Sequence, residues 1–177
     1  MNEARVLVLF AHAAPHRSRV NARLAAAARS VPGVHVHDLY ETYPDFFIDV
    51  EREQALVAAA DVVVFLHPIQ WYGMPALLKE WTDVVLQHGW AYGKDGTALH
   101  GKGYWMVATT GSTAEAYQSG AAHGRPFAHY LPPFEQTAAL CGMRWLEPLI
   151  LHGAHVVSDA DVDAHVAAFR DRLLTYT

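Results

Sequence analysis

Apolar and polar positions along this chain switch between strand and helix periods, and the switches mark out its elements. Val6-Leu7-Val8-Leu9-Phe10 is an unbroken apolar run of strand length. A polar loop follows, then an alanine-rich helical segment from about Val20 to Arg29 with Leu24 on its inner face, ended by Pro32-Gly33. Val34 to Tyr40 alternates apolar and polar residues as a half-exposed edge strand does, and a charged helix around Glu51 to Ala60 leads onward. Asp61-Val62-Val63-Val64-Phe65-Leu66 is short, apolar and mostly β-branched, which suits a central parallel strand covered on both faces. After Pro75, at a first helical turn, Leu77, Leu78, Trp81, Val84 and Val85 recur at helical spacing. Tyr104 to Ala108 predicts a fourth strand, and Thr109 to about Pro133 shows little periodicity. Phe134 to Cys141 then reads as helix. Glu147 to His155 predicts a fifth strand broken at its entrance by Pro148, and Val162, Val166, Phe169 and Leu173 stripe a last helix.

Strand and helix patterns alternate five times, so the expected fold is α/β: a doubly wound, five-stranded parallel sheet in the order 2-1-3-4-5, with helices on both faces. With 177 residues and 52% apolar content, one domain over 1–177 is expected, without repeats or low-complexity tracts.

Composition narrows the partners. A formal charge of -5 and the lack of any Lys/Arg run argue against nucleic acid, which needs clustered cations. The single cysteine, Cys141, excludes an intrachain disulfide and sits among apolar residues as a packed thiol, in keeping with a reducing compartment. No signal-peptide core is present, and no segment approaches the ~18 apolar residues of a membrane span. The expectation is a cytoplasmic protein that reaches the inner face of a membrane only through a partner.

Ligands of open α/β sheets bind past the carboxyl ends of the strands, so the loops after the first, third and fourth strands are expected to converge. The first, Ala11 to Asn21, lacks the glycines of a dinucleotide or P-loop fingerprint, but it places Ser18 and Asn21 at a helix start. Those two residues either cap the helix or hold a phosphate against its positive end. The second, His67-Pro68-Ile69-Gln70-Trp71-Tyr72-Gly73-Met74, carries two aromatics able to wall a flat ring or to pack in a core. The third, Thr109-Thr110-Gly111-Ser112, brings hydroxyls and a permissive glycine that let backbone approach a ring edge.

Taken in this order, with Tyr43-Pro44-Asp45-Phe46, Leu77-Leu78-Lys79, His88-Gly89-Trp90-Ala91-Tyr92-Gly93 and Gly96-Thr97-Ala98-Leu99, these loops carry a resemblance over nearly the whole chain. The sequence resembles the flavodoxin-like NAD(P)H:quinone oxidoreductases, and most closely the ancillary flavoproteins of glutathione-gated potassium-efflux antiporters. The resemblance implies a flavodoxin-like fold binding FMN, with FAD as the alternative. Carried over by position, the flavin contacts fall on His12, Ser18, Arg19, Val20 and Asn21 for the phosphate, on Ile69, Gln70, Trp71 and Tyr72 beside the isoalloxazine, and on Thr109, Thr110, Gly111 and Ser112 along its pyrimidine edge. Two departures bear on loop detail: Ser112 stands where the family often has a second glycine, and Ala13 where related chains commonly have proline. If position 112 needed a positive φ, serine there would cost roughly 1 kcal/mol.

The resemblance also implies a ping-pong, two-electron reaction in which NADH or NADPH gives hydride to the flavin and leaves before a quinone enters. Tyr117 and His123, six residues apart, match the family's Tyr and His that stabilise charge on the reduced flavin, a role suited to a side chain that titrates near neutrality. His123 is otherwise a surface histidine in a polar loop. Trp90 and Tyr92 are expected in the substrate wall, contributed by a second subunit of a homodimer. The other reading the resemblance supports is a regulatory subunit docked on a potassium-efflux antiporter, with redox chemistry secondary. A one-electron shuttle fits less well, because the charge is modest for the acidic face such carriers present. Among twelve histidines, His12/His16 and His35/His37 invite a metal site, but no carboxylate or thiolate is placed to complete one, so none is expected.

Overall fold

The computed structural model describes residues 5–177. Five parallel strands, β1 (Val6–Phe10), β2 (Val34–Asp38), β3 (Val62–Pro68), β4 (Gly103–Thr109) and β5 (Arg144–Leu151), form one sheet in the order β2-β1-β3-β4-β5. The helices are α1 (Asn21–Arg29), the one-turn α2 (Leu39–Thr42), α3 (Val50–Ala59), α4 (Ala76–Val85), α5 (Pro132–Leu140) and α6 (Asp159–Leu174). None is long and apolar enough to cross a membrane among the described residues.

Strand alternation sorts the core into two layers. Val6, Val8, Phe10, Val62, Val64, Leu66, Trp105 and Val107 pack on one face against Leu24, Ala25 and Ala28 of α1 and Val162, Phe169 and Leu173 of α6. Leu7, Leu9, Val63, Phe65, Tyr104 and Met106 pack on the other face against Val57 of α3, Leu77, Leu78, Trp81 and Val85 of α4, and Phe134 and Ala138 of α5. This two-sided cover is why β1, β3 and β4 are apolar at nearly every position.

Two strands differ most from the pattern. β2 ends at Asp38, whose carboxylate accepts from the Tyr40 and Glu41 N–H groups and so caps α2; the expected continuation to Tyr40 is this helical turn. β5 starts at Arg144 rather than Glu147, runs through Pro148 and ends at Leu151, short of the expected His155. Trp105 pairs with Leu146 and Val107 with Leu149, so Glu147 and Pro148 together oppose Met106 in a bulge on an edge strand. A missing N–H is tolerated there, whereas in a central strand it would break the ladder.

Near the opposite edge of the sheet, at β2, lies a buried polar knot. Glu53 of α3 accepts from His37 Nε2 (2.9 Å), the Tyr43 hydroxyl (2.6 Å) and Trp81 Nε1 (2.8 Å), which ties β2, α3 and α4 together. A carboxylate can only accept, so all three partners donate. His37 is thus committed inside the core, away from any ligand.

Candidate active site

The carboxyl ends of β1, β3 and β4 open into two adjoining cavities. The first, about 320 Å³, is lined by His12, Arg17, Ser18, Arg19, Val20, Asn21, Pro68, Ile69, Gln70, Thr109, Gly111, Ala154 and His155. The second, about 250 Å³, is lined by Ile69, Trp71, Tyr72, Gly111, Ser112, Tyr117 and His123. Ile69 and Gly111 belong to both and mark the junction. The Ile69 N–H donates to the Thr109 carbonyl (2.7 Å), which fixes the second loop to the third.

The first cavity is built to receive an anion. The Ser18 hydroxyl accepts from the Ala22 N–H (3.1 Å), and the Val20 carbonyl takes the N–H groups of Arg23 and Leu24. Among the described residues, this leaves the N–H groups of Arg19, Val20 and Asn21 without a protein acceptor at the positive end of α1. His12 Nδ1 accepts from the Ala14 N–H (3.1 Å), so the hydrogen of the neutral ring sits on Nε2 and is a donor in the cavity wall. Burial lowers the pKa of His12, while nearby Asp38 opposes the shift. Arg19 serves through its backbone only: its guanidinium is turned to the Val157 carbonyl and the Asp159 carboxylate.

Asn21 decides what the cavity asks for. Only 3% exposed, it donates Nδ2–H to the Thr109 hydroxyl (2.8 Å), and its Oδ1 is buried with no partner. The two ends of an amide are assigned from their network, and Thr109 can serve either one. In both orientations one polar end of a buried side chain is left for a ligand. These groups fit FMN: the N–H groups would hold its phosphate, and the Asn21 amide would meet ribityl hydroxyls, which can both give and accept hydrogen bonds.

The second cavity is walled by rings. Gln70 and Gly73 exchange two backbone hydrogen bonds of 3.0 Å, closing a two-residue turn on Trp71 (φ 46°) and Tyr72 (φ 65°). Both sit in the left-handed region, where a primed turn normally takes Asn and Gly. The strained turn holds Trp71 95% exposed at the rim and Tyr72 half out of the protein. Tyr117 and His123 stack at 4.1 Å with 14° between their planes, and His123 Nδ1 meets the Tyr72 hydroxyl at 3.3 Å. His123 Nε2 is buried without a partner, and burial raises the pKa of Tyr117.

Most of the residues expected at the site therefore line the paired cavities. Thr110 lies just behind them, buried, with its hydroxyl on the Ser112 carbonyl. Ser112 does not take a positive φ, so the condition under which serine would be strained there is not met. Trp90 and Tyr92 line neither cavity of their own chain: Trp90 packs on the core, and Tyr92 borders a separate hollow with Thr82, Leu86 and Cys141. Arg17, Ala154 and His155 are lining residues that the sequence reading did not single out. The signal for the last two was the strand order itself, since β5 neighbours β4 and its following loop must abut Thr109–Ser112.

The model of a family described as having the flavodoxin-like fold matches residues 4–176. The chain belongs to this family. Within it, the chain is 35% identical to a general stress protein 14 from Treponema denticola solved in complex with FMN, covering 97% of each chain with a TM-score of 0.86. It is 30% identical to an NADPH-quinone reductase from P. pentosaceus, covering 95% of this chain and 96% of the other with a TM-score of 0.85. It is 38% identical to a chain described as a thermophilic tryptophan halogenase from Streptomycin violaceusniger, covering 95% of this chain and 98% of the other with a TM-score of 0.91. The descriptions differ, and what these family members share with this chain is the fold over nearly their full length. The NADPH-quinone reductase and the FMN complex among them support a flavin-dependent oxidoreductase.

Proposed function

We propose that this protein is an FMN-dependent NAD(P)H:quinone oxidoreductase that transfers two electrons by a ping-pong mechanism. The observation that carries the proposal is the junction at Ile69 and Gly111 between a cavity of anion donors and a cavity of aromatic walls. When bound, FMN supplies reversible acceptance of hydride from NADH or NADPH.

The chain's own residues bind, orient and supply a proton. The free N–H groups at the start of α1, His12 Nε2 and the Asn21 amide hold the phosphate and ribityl end. Ile69, Gln70 and the backbone of Thr109 to Ser112 set the position of the ring, and Trp71 with Tyr72 confine a flat substrate over it. Conversion of a quinone to a hydroquinone takes two electrons and two protons, of which one proton travels as hydride and the other comes from solvent. We assign the delivery of that second proton to His123, whose ring borders the second cavity with Nδ1 on the Tyr72 hydroxyl and its plane against Tyr117.

Exposed Phe46, Phe47, Trp71 and Tyr72 support a homodimer, in which Trp90 and Tyr92 of a second copy would complete the substrate wall. Docking on a potassium-efflux antiporter rests on sequence resemblance alone.

Initial rates of NADH or NADPH oxidation at varied benzoquinone concentration test the mechanism. Parallel double-reciprocal lines are expected from the FMN-loaded protein; intersecting lines would contradict the ping-pong order, and absence of turnover would contradict the activity.

A further inference from the structure

Behind the catalytic pair, outside both cavities, stands a histidine that no step above uses. His152 follows β5, and its Nδ1 lies 2.9 Å from the Thr110 hydroxyl. The Thr110 hydroxyl has one hydrogen, and it is given to the Ser112 carbonyl at 2.7 Å. The contact with His152 must therefore be made by the ring, which donates Nδ1–H to Thr110 Oγ1.

That donor joins two loops already stitched by backbone. Thr110 N–H donates to the Leu151 carbonyl, Gly153 N–H to Ser112, and Ala154 N–H to Thr110, at 2.8 to 3.0 Å. The same imidazole lies against Tyr117 (5.4 Å between centroids) and meets Phe127 edge-on (5.0 Å). Tyr117 in turn stacks on His123, and His123 contacts Tyr72. One side chain thus grips both the turn expected along the flavin's pyrimidine edge and the stack that holds the proton donor.

We propose that His152 is a positioning residue for the quinone reductase chemistry, fixing the Thr109–Ser112 turn and the Tyr117–His123 stack through an Nδ1–H bond to Thr110. The proposal rests on the function inferred above. It makes the bond, rather than the bulk of the ring, the working element.

Two variants separate those alternatives. His152→Asn keeps an N–H near the position of Nδ1 and loses the ring; His152→Phe keeps the ring and loses the donor. Circular dichroism melts establish that each variant folds. Loss of one hydrogen bond is worth about five- to tenfold. His152→Phe is therefore expected to weaken FMN binding to the apoprotein by about that factor, to lower kcat for benzoquinone and to shift the visible band of the bound flavin. His152→Asn is expected to stay within about twofold of wild type. The reverse ranking would overturn the proposal, since it would show that ring packing alone matters. An independent readout needs no flavin: in the 15N-labelled apoprotein, long-range proton–nitrogen spectra should show the Nδ1–H tautomer of His152. An Nε2–H tautomer overturns the assignment. If wild-type protein binds no FMN, the oxidoreductase reading falls and the positioning role falls with it; a normal wild type with both variants unchanged overturns the role of His152 alone.

Discussion

Asn21, the first residue of α1, donates to the hydroxyl of Thr109 at the end of β4 across 88 residues of sequence, at 2.8 Å. That bond ties the anion-binding helix start to the turn that meets the ring. It also leaves one end of a buried amide, on a residue that lines the first cavity, without a protein partner.

Replacing that amide tests its share in cofactor binding. Asn21→Leu strands Thr109 and removes the unpartnered polar end, each a buried-group loss of roughly 1–3 kcal/mol. FMN affinity, read by quenching of flavin fluorescence, is expected to drop by about ten- to a hundredfold. An unchanged dissociation constant would place the phosphate elsewhere.

The Trp71-Tyr72 turn holds strain that sequence could remove. Trp71→Asn with Tyr72→Gly supplies the residues a primed turn favours, and should raise stability by roughly 1–2 kcal/mol through relief of two left-handed side-chain-bearing residues. The same double variant takes away the aromatic wall, so KM for benzoquinone should rise. Thermal unfolding and steady-state kinetics are expected to move in opposite senses; a variant that is both less stable and fully active would contradict the role given to this turn.

Two buried groups set separate acid limbs. Burial pushes the His67 pKa down to about 4 from an ordinary 6.5, with its bond to the Pro68 carbonyl opposing. Between pH 6.5 and 4 the unfolded chain takes up a proton on this residue that the folded chain refuses, so stability falls as pH falls through that window. His67→Phe, which keeps a ring beside Phe134, should remove up to one proton from the slope, about 1.4 kcal/mol per pH unit, in urea titrations across that range.

Glu53 governs the lower limb. Burial pushes its carboxyl up, but the hydrogen bonds from His37, Tyr43 and Trp81 outweigh that and hold it below the ordinary value of 4.5. Its contribution is present in full above pH 4.5 and is lost as pH falls through the lower folded value. Glu53→Gln puts an amide donor against donors and should cost about 3–5 kcal/mol at neutral pH, with a shallower acid limb. Equal stability of variant and wild type at pH 7 would contradict the knot's role in joining β2, α3 and α4.

Much of the fold was legible because its signals are local. β1 and β3 are apolar runs that only a sheet covered twice explains, and the α4 stripe of Leu77, Leu78, Trp81 and Val85 is the buried face found. The bulge at Glu147 and Pro148 was not legible, since only its pairing against Met106 and its place at the sheet edge make a proline acceptable there. The site divides the same way. His12, Ser18, Ile69 and Gly111 on their loops and Asn21 at the start of α1 are brought together by strand order, whereas His155 and His152 become visible only when β5 is laid beside β4. Trp90 and Tyr92 sit apart because their loop turns tightly just after α4, with the Trp90 and Ala91 N–H groups on the Gln87 carbonyl, and Tyr92 comes to border a hollow beside Thr82 of α4.

The most direct test of the flavin site is an anaerobic visible spectrum of the purified protein reconstituted with FMN and freed of excess by gel filtration. The predicted result is a retained flavin band that bleaches on addition of NADH or NADPH and returns in full when benzoquinone is added. Protein that emerges without flavin, or whose flavin neither pyridine nucleotide bleaches, would contradict the proposed function.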